Sequence, residues 1–339
     1  MKVLVTGPDG LLGSNLIREL LNRGYSVTAM TENDKKSITI DDLPIHRIVG
    51  NLLNAQEVIN ATVGIDIVIH CAASTSMFPA RSKIINKVNI GGTQNIVDAC
   101  KKNKVKRLIY VGTANSFGSG NLDNLGTEKN LYSSEHYGLD YMDSKYKAQL
   151  IVLENAKNGS LNAIVVNPTF MIGPFDSRPS SGEMLLSVYK RKIPGYTLGG
   201  KNFIAVKDVA VAITNAITKG RNGECYILGN ENLTYQQAFE KIAKTIGVIP
   251  PRLKFPSKVV RVFGKMNSIL AITFNYTTKM PYELTLLSSE IHYYSSAKAR
   301  AELGLPQTPL EVAIKECFEW FLENGYLKKQ QGYASIVKC

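Results

Sequence analysis

The sequence predicts an α/β fold, a doubly wound parallel sheet joined to a smaller, mostly helical substrate-binding region. Three observations carry this expectation. Short apolar runs alternate with helical patterns through the first half of the 339 residues, and such alternation gives a parallel sheet with helices on both faces. A glycine-rich turn, "VTGPDGLLG" (5–13), separates the first apolar run from the first helical pattern. After Pro174 the alternation stops, and the Pro-, Ser- and Gly-rich loop "PFDSRPSSG" (174–182) leads into helical and irregular segments.

The elements follow in order. "KVLVTG" (2–7) reads as a buried strand, and "LLGSNLIRELLNRG" (11–24) has helical periodicity and ends on Gly24, a residue suited to closing a helix. "SVTAM" (26–30), "HRIVGNL" (46–52), "DIVIHCA" (66–72), "RLIYVGT" (107–113) and "NAIVVNP" (162–168) continue the strand series, with helices between them that include 86–103 and 140–157. Residues 1–173 are thus expected to form a Rossmann-type cofactor-binding domain, and 174–339 the substrate-binding region. Within the latter, "CYILGN" (225–230) reads as a strand on the substrate side, and "FIAVKDVAVAITNAI" (203–217) as a return to the main sheet.

Composition narrows the function classes. Hydrophobic residues make up 44% and charged residues 20%, as in an ordinary globular enzyme. The net charge is +12, but its densest run, "KKNKVKR" (101–107), falls where a helix ends and complements the helix dipole. No aromatic-interleaved basic motif points to nucleic acid. Cys71, Cys100, Cys225, Cys317 and Cys339 form no Cys-x-x-Cys pair and read as reduced thiols of a cytoplasmic protein. The four histidines lack metal-ligand spacing. The start "MKVLVTGPDG" is too short an apolar run for a signal peptide. No run approaches the roughly 20 apolar residues of a membrane span. The nearest, "VVRVFGKMNSILAITF" (259–274), is broken by Arg261, Lys265 and Asn267. It is expected to be a half-buried helix closing over a pocket, with a peripheral membrane contact as the alternative.

The glycine turn has the strand–turn–helix context of a dinucleotide site. Gly7 permits the tight turn, Gly10 lets backbone approach a pyrophosphate, and Gly13 lets the helix pack close to the sheet. Asp9, Leu11 and Leu12 complete the turn, and the helix N-terminus faces the phosphates. The end of the second strand, "MTENDKK" (30–36), is expected to meet the adenosine ribose. After Thr31, Glu32 suits ribose hydroxyls and repels a 2′-phosphate, which favours NAD. Lys35 and Lys36 suit that phosphate, which favours NADP. The balance leans slightly to NAD.

Two stretches pair a tyrosine with a lysine four residues on, "YMDSK" (141–145) and "YSSAK" (294–298). On a helix such residues share a face. A phenol with its ordinary pKa of about 10 is pulled down by a neighbouring ammonium and can then exchange a proton with a substrate oxygen.

Further segments are "GNLLN" (50–54), "HCAA" (70–73), "NIGGT" (89–93), "GTANSFG" (112–118), "NPTFMIGP" (167–174) and "VKDVAVA" (206–212). In order and spacing, together with "TGPDGLLG" and "YMDSK", they resemble the extended short-chain dehydrogenase/reductase superfamily of the epimerase/dehydratase type. The likeness spans nearly the whole chain and is strongest to the dihydroflavonol-4-reductase-like branch. The resemblance implies an NAD(P)(H) cofactor, bound additionally by Asn51 and Leu52 near the adenine, by Cys71, Ala72 and Ala73 at the fourth strand's end, and by Asn89, Asn167, Pro168 and Thr169. It implies Thr113, Tyr141 and Lys145 as the catalytic set. Tyr141 follows the fifth strand, beside the expected nicotinamide, whereas Tyr294 lies far from any such strand. The second pair is therefore a chance spacing, with Lys298 on an exposed helix start.

The resemblance also orders the reactions. Sugar-nucleotide dehydratases carry Asp-Glu directly after the catalytic Thr, where this chain has Ala114 and Asn115. Sugar-nucleotide epimerases commonly carry Arg at the places of Lys201 and Asn167. The reductase-like branch usually has Arg where this chain has Glu32. The expected activity is NAD(P)-dependent interconversion of a carbonyl and a secondary alcohol. A nucleotide-sugar epimerase is the alternative, and a catalytically silent cofactor-binding protein comes third. The partner is a small molecule, with a homodimer left open. Its pocket is expected to be apolar-walled, lined by Ser76, Met77 and Phe78, by Asn115 and Phe117, and by Phe170, Met171 and Lys201.

Overall fold

The computed structural model describes residues 1–278 and 280–327; Cys339 and the end of the second region lie outside the described residues. The first half builds β1 (Lys2–Thr6), α1 (Leu11–Asn22), β2 (Ser26–Thr31), β3 (His46–Val49), α2 (Ala55–Ala61), β4 (Ile67–His70), α3 (Lys83–Asn86), a π-helical turn (Lys87–Gly91), α4 (Gly92–Lys102), β5 (Arg107–Val111), α5 (Asp140–Lys157) and β6 (Ala163–Pro168). The second half adds β7 (Phe170–Ile172), α6 (Gly182–Tyr189), β8 (Gly195–Tyr196), β9 (Gly200–Ala205), α7 (Val206–Lys219), β10 (Cys225–Leu228), β11 (Glu231–Thr234) and α8 (Tyr235–Ile246). It closes with β12 (Leu253–Lys254), α9 (Ser257–Thr273), α10 (Tyr282–Leu287), β13 (Ile291–His292), α11 (Ala297–Leu303) and α12 (Leu310–Glu323).

Seven parallel strands in the order β10-β6-β5-β4-β1-β2-β3 form the main sheet. Period-two alternation decides which face each side chain serves. Val3 and Val5 join the core shared with α1, α7 and α11, while Leu4 joins the opposite core shared with α4 and α5. Burial on both faces explains why these strands read as continuous apolar runs. The strand order reverses between β1 and β4, and open α/β sheets bind ligands at the carboxyl ends beside such a reversal.

Two expectations are corrected. Strand 225–228 is not on the substrate side. It extends the main sheet beyond β6, with Cys225 level with Val165 and Leu228 with Pro168, because its four residues are all buried and need cover on both faces. Residues 203–205 do not return to the main sheet. They belong to β9, which pairs with β7, β11 and β13 in a small second sheet. Only the helical part returns, since α7 packs on α1 beneath the main sheet. A third core, from α6, α8, α12 and β9, fills the second region. No described helix is long and apolar enough to cross a membrane.

Candidate active site

The glycine turn is shaped by close approach. Gly7 has φ +66°, and a Cβ on it would stand 2.8 Å from the Ala72 Cα. A Cβ on Gly13 would stand 2.1 Å from the Gly7 carbonyl oxygen, whereas one on Gly10 would meet nothing nearer than 3.7 Å. The turn is therefore tight on the protein side and open at Gly10. No side chain caps α1 and no acidic residue occupies its first turn, so its N-terminal peptide groups suit a pyrophosphate. Leu12 is core and Leu11 packs against that core, which leaves their backbone to face a ligand. The Asp9 carboxylate pairs with Arg178 at 2.8 Å, and its carbonyl accepts from Thr39 at 3.2 Å.

At the end of β2, Thr31 is buried and donates to the Ile48 carbonyl at 3.3 Å. Glu32, Lys35 and Lys36 are exposed. Sequence reasoning missed Arg47, which pairs with Asp41 at 2.6 Å and donates to the Lys35 carbonyl at 3.0 Å; nothing in the local pattern of β3 signals that reach. Asn51 is exposed, and its side chain accepts from the Leu53 amide at 2.8 Å. Leu52 packs on Gly92, where a Cβ would lie 3.3 Å from it.

The end of β4 is held by a buried relay. Thr93 donates to the Asn89 carbonyl at 2.6 Å, so its oxygen accepts from His70 Nε2 at 3.2 Å. Nδ1 of His70 then accepts from Thr6 at 2.7 Å, and the Thr6 oxygen accepts from the Ala72 amide at 3.2 Å. These bonds assign the Nε2–H tautomer and fix Ala72 against Gly7. Burial, with a smaller contribution from the Lys145 charge, lowers the His70 pKa from 6.5 to about 3. The ring stays neutral in the fold but protonates in the unfolded chain, so stability present above pH 6.5 is lost towards pH 3 at about 1.4 kcal/mol per unit. Denaturant titrations are expected to show a loss of about 2 kcal/mol from this residue on going from neutral pH to pH 5. His70→Gln should flatten that slope; an unchanged slope would contradict the assignment. Beside the relay, burial pushes the Cys71 thiol up to about 12, and Ala73 is half-buried.

Asn89, expected at the cofactor, spends its side chain on protein. It donates to the Ser74 carbonyl at 3.0 Å and to the Ser144 hydroxyl at 2.9 Å, and accepts from the Ser74 amide at 2.7 Å. It ties the loop after β4 to α5, since Ser144 donates to the Tyr141 carbonyl at 3.0 Å. The start of α5 is pinned by Asp140, which accepts from Arg81, the Ser82 amide and Asn86 at 2.7–2.9 Å. Sequence reasoning missed this anchor because its donors lie more than fifty residues upstream.

Thr113 stands two residues beyond the end of β5, and Tyr141 lies in the first turn of α5. Burial raises the Tyr141 pKa, and a hydrogen bond with the Thr113 hydroxyl pulls it part of the way back. Thr113 also accepts from the Asn115 amide at 3.3 Å. Lys145 is buried, donates to the Val111 carbonyl at 2.6 Å and lies 4.5 Å above the Tyr110 ring. The lowering of Tyr141 expected from Lys145 is not found: burial leaves the phenol raised, and Thr113 offsets only part of that rise. Burial brings Lys145 itself down to about 7. Asn167 is fully buried and donates to the Thr113 carbonyl at 3.0 Å and to Gln149 at 2.7 Å. Pro168 pairs with Leu228, and Thr169 donates to Asn202 at 2.8 Å.

Tyr141 packs in an apolar cluster with Met77, Tyr137, Met142, Leu284 and Leu287. The two leucines come from α10, which no local motif announced. Ser76 is exposed and donates to the carbonyl of half-buried Phe78 at 2.7 Å. Asn115 is half-buried beside Thr113. Phe117 is corrected from pocket wall to core, since it is 7% exposed and packed in one cluster with Tyr294. Phe170 stands edge-on to Phe203 at 5.4 Å, Met171 packs against the main core, and the Lys201 ammonium lies 5.0 Å above Phe170. Tyr294 precedes α11 and is buried, so it shares no helix face with Lys298. Lys298 is corrected from exposed to half-buried, since it donates to the Cys225 carbonyl at 2.8 Å and pairs with Glu224.

Comparison with known proteins identifies the family. The chain is 30% identical over 331 residues to the "Putative dihydroflavonol 4-reductase" of Synechocystis sp., covering 96% of both chains. It is 28% identical over 337 residues to Sterol demethylase protein B of Methylococcus capsulatus, covering 96% of this chain and 100% of that protein. The crystal structure of gox2253 superposes with a TM-score of 0.84 at 29% identity, over 96% of this chain and 99% of that one. Residues 3–229 match a single family description. The chain belongs to the NAD dependent epimerase/dehydratase family, within the extended short-chain dehydrogenase/reductase superfamily.

Proposed function

We propose that this enzyme interconverts a ketone and a secondary alcohol on an apolar small molecule, with Thr113, Tyr141 and Lys145 as the catalytic set. The observation that carries the reading is the placement of Tyr141 at the start of α5, where the Thr113 hydroxyl acts on its phenol and its ring joins the apolar cluster that also holds Met77, Leu284 and Leu287. A substrate oxygen between the two hydroxyls is held by Thr113 and exchanges its proton with Tyr141. In reduction Tyr141 gives a proton to the forming alcohol; in oxidation it accepts one. Thr113 stabilises the resulting phenolate, and Lys145, one helical turn on, adds positive charge when protonated. The nicotinamide cofactor, when bound, supplies or accepts the hydride. The region after Pro174 contributes the pocket wall through α10.

The glycine turn and the uncapped start of α1 fit the cofactor's pyrophosphate. We read its preference as NAD, because exposed Glu32 stands at the end of β2, where a 2′-phosphate would meet like charge. Calorimetric titration is expected to show tighter NAD than NADP, and Glu32→Arg to move the ratio towards NADP by about tenfold, or ~1.4 kcal/mol. Tighter NADP in the wild type would contradict this.

A second reading, a nucleotide-sugar epimerase, draws on Lys201. This half-buried cation has no carboxylate partner among the described residues, and burial lowers it to about 8, a setting that suits an anionic substrate group. Following nicotinamide absorbance with apolar ketones, secondary alcohols and UDP- or GDP-sugars separates the readings. Stoichiometric cofactor turnover with the ketones supports the first. Inversion of a nucleotide sugar without it supports the second.

A further inference from the structure

The helix α9 is inside out. Its protein-facing positions are Val260, Gly264, Asn267, Ser268 and Ala271, mostly small or polar. Gly264 lies so close to α10 that a Cβ there would come within 2.5 Å of Thr285. Its outer positions carry Val262, Phe263, Met266, Ile269 and Ile272, followed by Phe274, and these side chains are 55–71% exposed. A helix that only covered a pocket would turn its large apolar side chains inward. More than half of the exposed large hydrophobic side chains among the described residues fall between Ile249 and Met280. An apolar surface of this kind marks a contact with something else.

The charge around it selects the partner. Arg252 just before β12, Lys254 on it, and Lys258 and Lys265 on α9 are exposed. No acidic residue occurs between Glu240 and Glu283. Of the acidic groups facing α9 from α10 and beyond, Glu290 is 3.8 Å from half-buried Arg261, and Glu283 is half-buried. The exposed charge beside the apolar face is therefore positive. A second copy of this chain would bring like charges together. An anionic lipid surface matches both features, because it accepts a convex apolar face and draws the cations to its headgroups. We propose that α9 and the turn after it dock the protein in the plane of a bilayer rich in anionic lipid. The docking stands independently of the reaction; it would also set α10, which lines the Tyr141 cluster, directly behind the membrane face.

Flotation of the full chain with phosphatidylcholine vesicles, with and without about one third phosphatidylglycerol, tests this. The anionic vesicles are expected to bind at least about tenfold more protein, with the difference falling at high salt. Phe263→Glu with Ile269→Glu, and separately Lys258→Glu with Lys265→Glu, should each cut binding by about tenfold or more with unchanged circular dichroism. As an independent reading, Trp emission of Phe263→Trp should shift to the blue on adding anionic vesicles. Absence of binding to any vesicle, binding unaffected by both double variants, or an unshifted Phe263→Trp emission would overturn the proposal. So would a dimer in sedimentation velocity that is lost in Phe263→Glu with Ile269→Glu while the wild type ignores lipid.

Discussion

Tyr141→Phe is expected to lower turnover by about 10²–10⁴-fold, the usual contribution of a positioned proton donor. Thermal stability and cofactor affinity should stay near wild type. The substitution removes one oxygen and keeps the ring in the apolar cluster that also holds Met77, Leu284 and Leu287. What is lost is the phenol, on which the Thr113 hydroxyl acts. Tyr294→Phe is the matched control. Its phenol donates only to the Phe117 carbonyl, at 3.4 Å, so its removal should cost about 1 kcal/mol of stability and leave the rate nearly intact. Steady-state kinetics and melting curves on both variants decide the matter; exchanged phenotypes would contradict the assignment.

Gly13→Ala is expected to weaken cofactor binding by about 100-fold or more, corresponding to ~2.7 kcal/mol, and to lower stability by roughly 1–3 kcal/mol through overpacking. Its Cβ would lie 2.1 Å from the Gly7 carbonyl oxygen and 2.9 Å from the Pro8 Cα. Both are backbone atoms of the turn that must cradle the pyrophosphate, so relief of the clash moves the turn itself. Gly91→Ala provides the contrast. A Cβ there meets nothing within 4 Å and the backbone is helical, so stability should hold or rise by up to about 1 kcal/mol. Calorimetric titration of the cofactor with both variants checks this. A Gly13→Ala protein that binds like the wild type would show that the turn is not the phosphate cradle.

What was legible in the sequence was what is local. The helix expected over 140–157 coincides with α5. The turn glycines stand where strand and helix meet, and Tyr141 and Lys145 are fixed by a four-residue spacing. Strand 225–228 was legible as a strand but not as a neighbour of β6, because four apolar residues state that they are buried and not beside what. The same holds for β9, whose partners come from three different stretches of chain. Asn89 and Phe117 occupy recognisable segments, yet the fold gives one to a bridge between Ser74 and Ser144 and the other to the core. Arg47, Asp140 and the α10 wall act through partners distant in sequence, so no spacing could announce them. On α9 the apolar pattern was visible, but not that the inward face is the one where Gly264 packs on Thr285.

The central claim is net hydride exchange at a carbonyl carbon, with Tyr141 moving the proton. Incubation with an apolar ketone and reduced cofactor carrying deuterium at the transferable nicotinamide position tests it most directly. Mass spectrometry is predicted to find one deuterium on the carbinol carbon of the product, matched by an equal amount of oxidised cofactor, and neither signal from Tyr141→Phe. Inversion of a UDP- or GDP-sugar with no net cofactor oxidation, and no label in any alcohol, would contradict it.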